Sequence, residues 1–325
     1  MKVSVIIPIY KVERFIVRCV RALMEQTLHE IEYIFVDDAT PDNSIRILKD
    51  LLSLYPQRKE AVCIIHHGEN QGLPASRNSG LIKAKGDYIF HCDSDDYMEL
   101  DMLEKLYRKA EETDADIVWC DWYLSFEKNE RYMKQPDYDT PMEALKGILC
   151  GSMKYNVWNK LVKRSLYVEN QIRFPEGYGM GEDMTMIRLF ACAQKVAYLP
   201  EAFYHYVKLN GEAFTNTFSE RHLRDIKHNV DETTVFLCNK VDSRIHPYID
   251  YFKLNVKYPF IISDKREMYQ LWRCWYPEAN DSIGTNPYSS LRSKVLQYAA
   301  MYKQYWVLWL HYKLVYKFVY GILYK

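Results

Sequence analysis

The chain opens with an unbroken apolar, β-branched run over residues 3–9. Such a run, with no polar alternation, predicts a strand buried on both faces. Residues 12–27 then change to helical spacing, with Phe15, Ile16, Cys19, Val20, Leu23 and Met24 sharing a side. The alternation continues. Further strands are predicted at 31–36, 61–65, 87–92 and 116–120, and further helices at 74–85 and 102–112. A helix is also predicted from Thr40-Pro41, with Thr40 as N-cap and Pro41 in the first turn, and Ile45, Leu48, Leu51 and Leu52 behind them. Strand and helix alternating through the first 120 residues predict an α/β fold, with a doubly wound, mostly parallel sheet and helices on both faces. Ligands of such sheets bind outside the carboxyl ends of the strands.

Past residue 120 the pattern loosens. Thr140-Pro141-x-Glu143 is a capping box for a helix through Leu149. Residues 157–168 are expected to be helical in part. Glu182-Asp183 opens another helix, with Met184, Ile187 and Ala191 on one face. From residue 216 onward the signals are mainly helical, with no internal repeat.

Acidic residues collect at the predicted strand ends. Asp37-Asp38 closes the second strand, and His91-Cys92-Asp93-Ser94-Asp95-Asp96 follows the apolar Tyr88-Ile89-Phe90. Carboxylates packed so closely repel one another, and burial raises their pKa values. A hard divalent cation such as Mg²⁺ or Mn²⁺ relieves that repulsion and usually also holds substrate phosphates. An Asp/Ser-rich turn that merely caps a helix is the plainer alternative. Two acidic edges directed at one crevice favour the metal–diphosphate reading.

Composition narrows the class. At 325 residues the chain can bury a large core, as one large domain or two smaller ones. Lys+Arg and Asp+Glu both total 43, which argues against a nucleic-acid binder relying on a global basic field. The 28 tyrosines suit carbohydrate or nucleotide sites, although core packing must account for most of them. The eight cysteines form no C-x-x-C pair and no cluster with His, as expected of reduced thiols in a cytoplasmic protein. The N-terminus lacks a signal-peptide layout, and no uncharged apolar run reaches the roughly 18 residues of a transmembrane helix.

Five segments together resemble the family 2 glycosyltransferases of the GT-A fold. They are Val3-Ser4-Val5-Ile6-Ile7-Pro8-Ile9-Tyr10, Phe35-Val36-Asp37-Asp38, the stretch from Asn70-Gln71-Gly72 through Ala75-Ser76-Arg77-Asn78-Ser79-Gly80, Asp93-Ser94-Asp95-Asp96, and Gly181-Glu182-Asp183. The resemblance covers residues 1–215. It implies a catalytic domain there, with a nucleotide-binding half (1–120) and an acceptor half (121–215), followed by a helical region (216–325).

The resemblance also implies roles. Pro8 and Tyr10 would line the nucleotide pocket, Tyr10 against the base. Asp38 would accept a hydrogen bond from the base, consistent with uracil, or cap the following helix. Asn70 and Arg77 would reach the nucleotide and its phosphates, since a guanidinium suits phosphate oxygens. Asp93 would face the ribose and Asp95 would bind Mn²⁺ or Mg²⁺, with Asp96 in support. Asp183 would be the catalytic base, although Glu182-Asp183 also suits a simple helix cap. The glycine-rich run 176–181 before it would let backbone approach or move over a sugar. The implied activity is inverting, metal-dependent transfer from a nucleotide-diphosphate sugar to a glycan or lipid-linked hydroxyl in cell-surface polysaccharide biosynthesis. A catalytically silent nucleotide-sugar module and a nucleotidyltransferase are the competing classes. The latter lacks its glycine-rich loop after the first strand.

Four features depart from or adjoin the family pattern. Asp-Asp-Gly-Ser is here Asp37-Asp38-Ala39-Thr40, and Tyr-Asn is Tyr10-Lys11. A Ser-x-Thr element appears as Ala213-Phe214-Thr215. Nearby His205 is open to two readings, a second metal ligand or a packed core residue. The last 44 residues contain no Asp or Glu, but carry Arg292, Lys294, Lys303, Lys313, Lys317, Lys325 and many aromatics. Leu308, Trp309, Tyr312, Val315, Tyr316, Val319 and Leu323 share one helical face. A helix in the interface of the inner membrane leaflet and a helix packed on protein are both open readings.

Overall fold

The computed structural model describes residues 1–208, 219–315 and 317. The chain divides into two compact units. One comprises Met1–Ala144 and Tyr155–Phe236; the other comprises Leu145–Lys154 and the chain from Leu237 onward.

The first unit is built on a nine-stranded sheet. Its strands are β1 (Val3–Ile9), β2 (Ile31–Asp37), β3 (Val62–His66), β4 (Tyr88–His91), β5 (Tyr97–Met98), β6 (Ile117–Ser125), β7 (Glu130–Met133), β8 (Lys160–Lys163) and β9 (Val196–Val207). The spatial order is β3-β2-β1-β4-β8-β6-β9-β5, with β7 beside β6. The four strands β3, β2, β1 and β4 run parallel, as the alternating sequence predicts. Beyond β4 the sheet is mixed: β8 is antiparallel to both β4 and β6, whereas β9 is parallel to β6. β1 lies between β2 and β4, so strand order reverses there, and it is outside the carboxyl ends of strands at such a point that ligands of these sheets bind.

Helices α1 (Ile16–Met24), α2 (Ser44–Leu52), α3 (Leu73–Lys83), α4 (Met102–Thr113), α5 (Pro141–Leu149), α6 (Arg164–Glu169) and α7 (Thr185–Cys192) follow in chain order. α1 buries Ile16, Cys19, Val20, Leu23 and Met24, the spacing visible in the sequence. α2 begins four residues later than Thr40: the chain from Asp38 to Asn43 is irregular, because Thr40 holds the β1 loop instead of capping a helix. Glu182-Asp183 opens a short 3₁₀ turn that leads into α7. The 157–168 segment divides into β8 and α6.

α3 packs on β1 and β2. Gly80 makes this approach possible, since a Cβ there would stand 2.3 Å from a methyl of Ile6. The close packing puts Ser76, Arg77 and Asn78 in the interior.

The second unit is helical. It contains α9 (His246–Lys257), α10 (Arg266–Cys274), α11 (Leu291–Met301) and α12 (Tyr305–His311), preceded in the chain by α8 (Glu220–Lys240). Its core holds Phe252, Phe260, Trp272 and Leu296. Lys257 is fully buried there, with its amine donating to the carbonyls of Trp275 and Tyr276 and to Asn280 Oδ1. Three acceptors fill all three donors of an ammonium, so the group is structurally satisfied.

Candidate active site

A single buried arginine organises the crevice. Arg77 is 1% exposed and carries a fork of donors that no neutral core can satisfy. Nη1 lies 2.8 Å from Asp183 Oδ1 and 3.2 Å from Glu182 Oε1, and Nη2 lies 2.9 Å from Asp93 Oδ1. The ring of Phe174 covers the guanidinium at 5.4 Å. Three carboxylates from two distant segments thus meet on one cation, and they hold it charged despite burial. Arg77, expected from the resemblance to reach substrate phosphates, here binds Asp93, Glu182 and Asp183.

Neighbouring Asn78 fixes the second segment in place. Its amide donates to Phe174 O and Glu176 Oε1, and its carbonyl accepts from Phe174 N. Asn229 donates to the carbonyls of Tyr178 and Met180. Residues 176–181, expected either to approach a sugar closely or to move over it, are held at Glu176, Tyr178 and Met180 by these contacts. Gly181 turns with φ +85°, a conformation costly for other residues, and delivers Glu182 and Asp183 to Arg77.

The two carboxylates differ. Burial and the charge of Asp183 push Glu182 up to about 8. Burial also raises Asp183, while Arg77 opposes that rise. The shorter contact favours the ionised form at Asp183 and the proton on Glu182.

The Asp93-Ser94-Asp95-Asp96 turn is tied to two strands. Ser94 Oγ donates to Pro8 O at 2.7 Å, drawing the turn against the end of β1. Asp93 N donates to the hydroxyl of Tyr204, and Val207 N donates to Asp96 Oδ1 at 2.7 Å. Asp96 is fully buried, with Oδ2 lacking a partner. Burial first, then the charges of Asp95 and Asp93, raise its pKa well above the usual carboxylate range. Asp95 is half-buried and interacts through its carbonyl with Arg18.

These acids provide hard oxygen donors of the kind that Mg²⁺ and Mn²⁺ prefer. Among the described residues no cluster of three His, Cys, Asp or Glu side chains is placed to hold a cation alone.

Asp38 is 3% exposed, and its carboxylate holds the loop before α3. Oδ1 accepts from Gln71 N and contacts His67 Nδ1 at 2.7 Å, while Oδ2 accepts from Gly72 N. Exposed Asn70 donates to the carbonyl of Asp38 at 3.4 Å. Tyr10 stands at the end of β1, 42% exposed. Both departures from the family pattern fall where the backbone is left-handed: φ is 54° at Lys11 and 53° at Ala39. Lys11 N donates to Thr40 Oγ1 across this turn.

His205 belongs to the fold. Its ring stacks on Tyr97 and Tyr123, and its nitrogens contact Glu130 at 2.7 Å and Glu99 at 2.9 Å. Ala213-Phe214-Thr215 lies outside the described residues.

Two residues near these acids were not singled out from the sequence. Lys160, in β8, is buried with its amine on Asn156 O and Asn159 Oδ1; burial lowers it to about 7, opposed by the charge of Asp183. Tyr206 stacks on Trp158 at 5.4 Å and 7°, on the same face of β9 as Tyr204. Burial first, then the charges of Asp96, Asp93, Asp95 and Asp183, push its phenol up to about 12. A polar pair at i, i+2 within an aromatic strand was the available signal.

Comparison with known proteins identifies the family and the fold. The chain is 27% identical over 277 residues to the glycosyltransferase GlyG of Streptococcus pneumoniae, covering 82% of this chain and 88% of that protein. It is 31% identical over 247 residues to the cholesterol galactosyltransferase of Borreliella burgdorferi, covering 71% and 67%. It is 34% identical over 213 residues to EpsJ of Bacillus subtilis, an uncharacterized glycosyltransferase, covering 63% and 60%. The fold matches residues 1–349 of Staphylococcus aureus TarS, solved with UDP-GlcNAc, at TM-score 0.71 and 21% identity, over 96% of this chain and 92% of that one. A Pyrobaculum calidifontis mannosyltransferase, solved with GDP-Man and Mn²⁺, aligns at TM-score 0.58 and 16% identity, over 96% and 84%. The sequence model of glycosyl transferase family 2 matches residues 4–183, and the chain belongs to that family of GT-A-fold glycosyltransferases.

Proposed function

We propose that this glycosyltransferase moves a sugar, with inversion, from a UDP-sugar to a hydroxyl of a glycan or lipid-linked acceptor used in cell-surface polysaccharide. The carrying observation is the Arg77 fork, which holds Asp183 2.8 Å and Asp93 2.9 Å from one guanidinium. It ties the proposed base to the acidic turn at the strand ends.

Asp183 takes the acceptor proton. Arg77 donates to its Oδ1, and Oδ2 would take the proton. The acceptor oxygen forms its bond to the anomeric carbon as the bond from that carbon to the diphosphate oxygen breaks on the opposite face. The nucleoside diphosphate departs with the electron pair. General-base assistance contributes about 10²–10⁴-fold. Arg77 acts as a positioning residue, since its donors meet protein carboxylates.

Asp95 would hold Mn²⁺ or Mg²⁺ together with the diphosphate, with Asp93 toward the ribose and Asp96 in support. Such a cation supplies positive charge to the leaving phosphate oxygen. Tyr10 and Pro8 flank the nucleotide, and Asp38 positions Asn70 and shapes the pocket wall. The nucleotide in the TarS complex supports UDP; the Asp38 carboxylate, expected on the base, instead accepts from Gln71 N and Gly72 N.

No helix among the described residues is long and apolar enough to cross a membrane. A peripheral location at the inner leaflet suits a lipid-linked acceptor. A panel of UDP-, GDP- and dTDP-sugars, followed by thermal shift with and without Mn²⁺, tests the donor reading. A UDP-sugar should stabilise the wild type only with the cation, and Asp95→Ala should abolish that effect. Equal stabilisation of both proteins would refute the role of Asp95.

A further inference from the structure

The outer face of the second unit is the wrong polarity for a helix in water. α11 buries Leu296, Ala299 and Ala300 against its neighbours α10 and α12. Its opposite side carries Leu291, Val295, Tyr298 and Tyr302, spaced at i, i+4, i+7 and i+11. These residues are 79%, 50%, 37% and 64% exposed. A surface helix ordinarily presents polar residues there. α12 and the turn after it extend the patch: Leu308 is buried, whereas Trp306, Trp309, Leu310 and Leu314 are exposed. The exposed apolar side chains thus lie on α11 and α12. The face expected from the sequence runs past residue 315 into positions largely outside the described residues.

Charge tells what this face meets. No Asp or Glu occurs after Asp281, while Arg292, Lys294, Lys303, Lys313 and Lys317 are interspersed along the chain with the apolar residues, Arg292 and Lys303 exposed. Lys313 and Lys317 share the single acid Asp264, at 3.0 and 3.8 Å, which leaves that edge net positive. Arg266 adds a further cation over the Tyr305 ring at 5.7 Å. Aromatic rings with an apolar body and a polar edge, bordered by basic side chains, match the headgroup region of an anionic bilayer. A second copy of this chain would bring the same positive border against itself, which opposes self-association.

We infer that α11 and α12 form a peripheral membrane-docking face that lies in the interface of an anionic leaflet, with Leu291, Tyr302 and Trp306 inserted and Arg292 and Lys303 on the headgroups. The chain lies on the bilayer without crossing it. This inference is independent of donor identity.

The test is flotation of the full chain with phosphatidylglycerol/phosphatidylcholine vesicles and with pure phosphatidylcholine vesicles. The wild type should float with the anionic vesicles and lose that association at high salt. Arg292→Glu with Lys303→Glu should weaken binding about fivefold or more per reversed charge. Leu291→Ser with Trp306→Ser should weaken it at least tenfold. All four sites are exposed, so the variants should unfold at the temperature of the wild type, which thermal melts check. Failure of the wild type to float, or equal flotation of the variants, would overturn the inference. So would light scattering that shows a dimer dispersed by Leu291→Ser with Trp306→Ser.

Discussion

Arg77 and Asp183 are 106 positions apart in the chain, and their side chains stand 2.8 Å apart in the fold. The same guanidinium reaches Asp93 with its other terminal nitrogen. Removing it leaves three acids facing one another without a counter-charge. Arg77→Met should destabilise the protein by about 3–5 kcal/mol. Arg77→Lys keeps the charge but cannot fork to both segments, so it should fold and lose about 10²-fold in kcat. Thermal melts and donor turnover check both, and a fully active Arg77→Lys protein would rule out the positioning role.

Glu182 gives the pH dependence a sign. Its pKa rises from 4.5 to about 8 on folding, through burial and the charge of Asp183. Between those values the folded chain holds the extra proton. This group's contribution therefore makes stability fall as pH rises from about 4.5 to 8. Glu182→Gln removes that loss, so its advantage in Tm over the wild type should grow from pH 5 to pH 8, reaching about 3 °C or more. A constant difference across that range would contradict the assignment.

Lys11 and Ala39 occupy left-handed backbone where the family pattern carries Asn and Gly. Asn tolerates that region through its short polar side chain, and Gly pays no steric penalty. Lys11→Asn and Ala39→Gly should each stabilise the fold by about 0.5–1 kcal/mol. Denaturant titration measures this, and a loss of stability in both variants would speak against backbone strain at this turn.

Much of this was legible in the sequence, for physical reasons that also explain the rest. β1, β2 and β4 are continuous apolar runs because parallel strands are covered on both sides, and that pattern survives without tertiary context. The acids after β4 stand out because close carboxylates are unfavourable unless they have work to do. β8 was hidden: Lys160 begins a four-residue strand, and its charge reads as a surface position. β5 and β7 have only two and four residues and exist through their partners β9 and β6. Asp183 was found by resemblance, but nothing local announces that Arg77 is its partner. That pairing depends on Gly80 seating α3 on Ile6 and on Asn78 clamping Phe174.

Tyr206 faces the same acids from β9 and packs on Trp158. Its hydroxyl stays protonated at neutral pH, which makes it a donor suited to an anionic donor-substrate oxygen. Tyr206→Phe should lower kcat/KM for the nucleotide sugar about tenfold, through KM, with Tm unchanged. Wild-type kinetics in the variant would remove Tyr206 from the site.

The central claim is that Asp183 accepts the proton while the nucleotide is held elsewhere in the crevice. The direct measurement is release of nucleoside diphosphate from the sugar donor that the wild type turns over, in wild type and Asp183→Asn, alongside calorimetric binding of UDP with Mn²⁺. The account predicts equal UDP affinity and a loss of about 10²–10⁴-fold in turnover for Asp183→Asn. Turnover within a few fold of the wild type would contradict it.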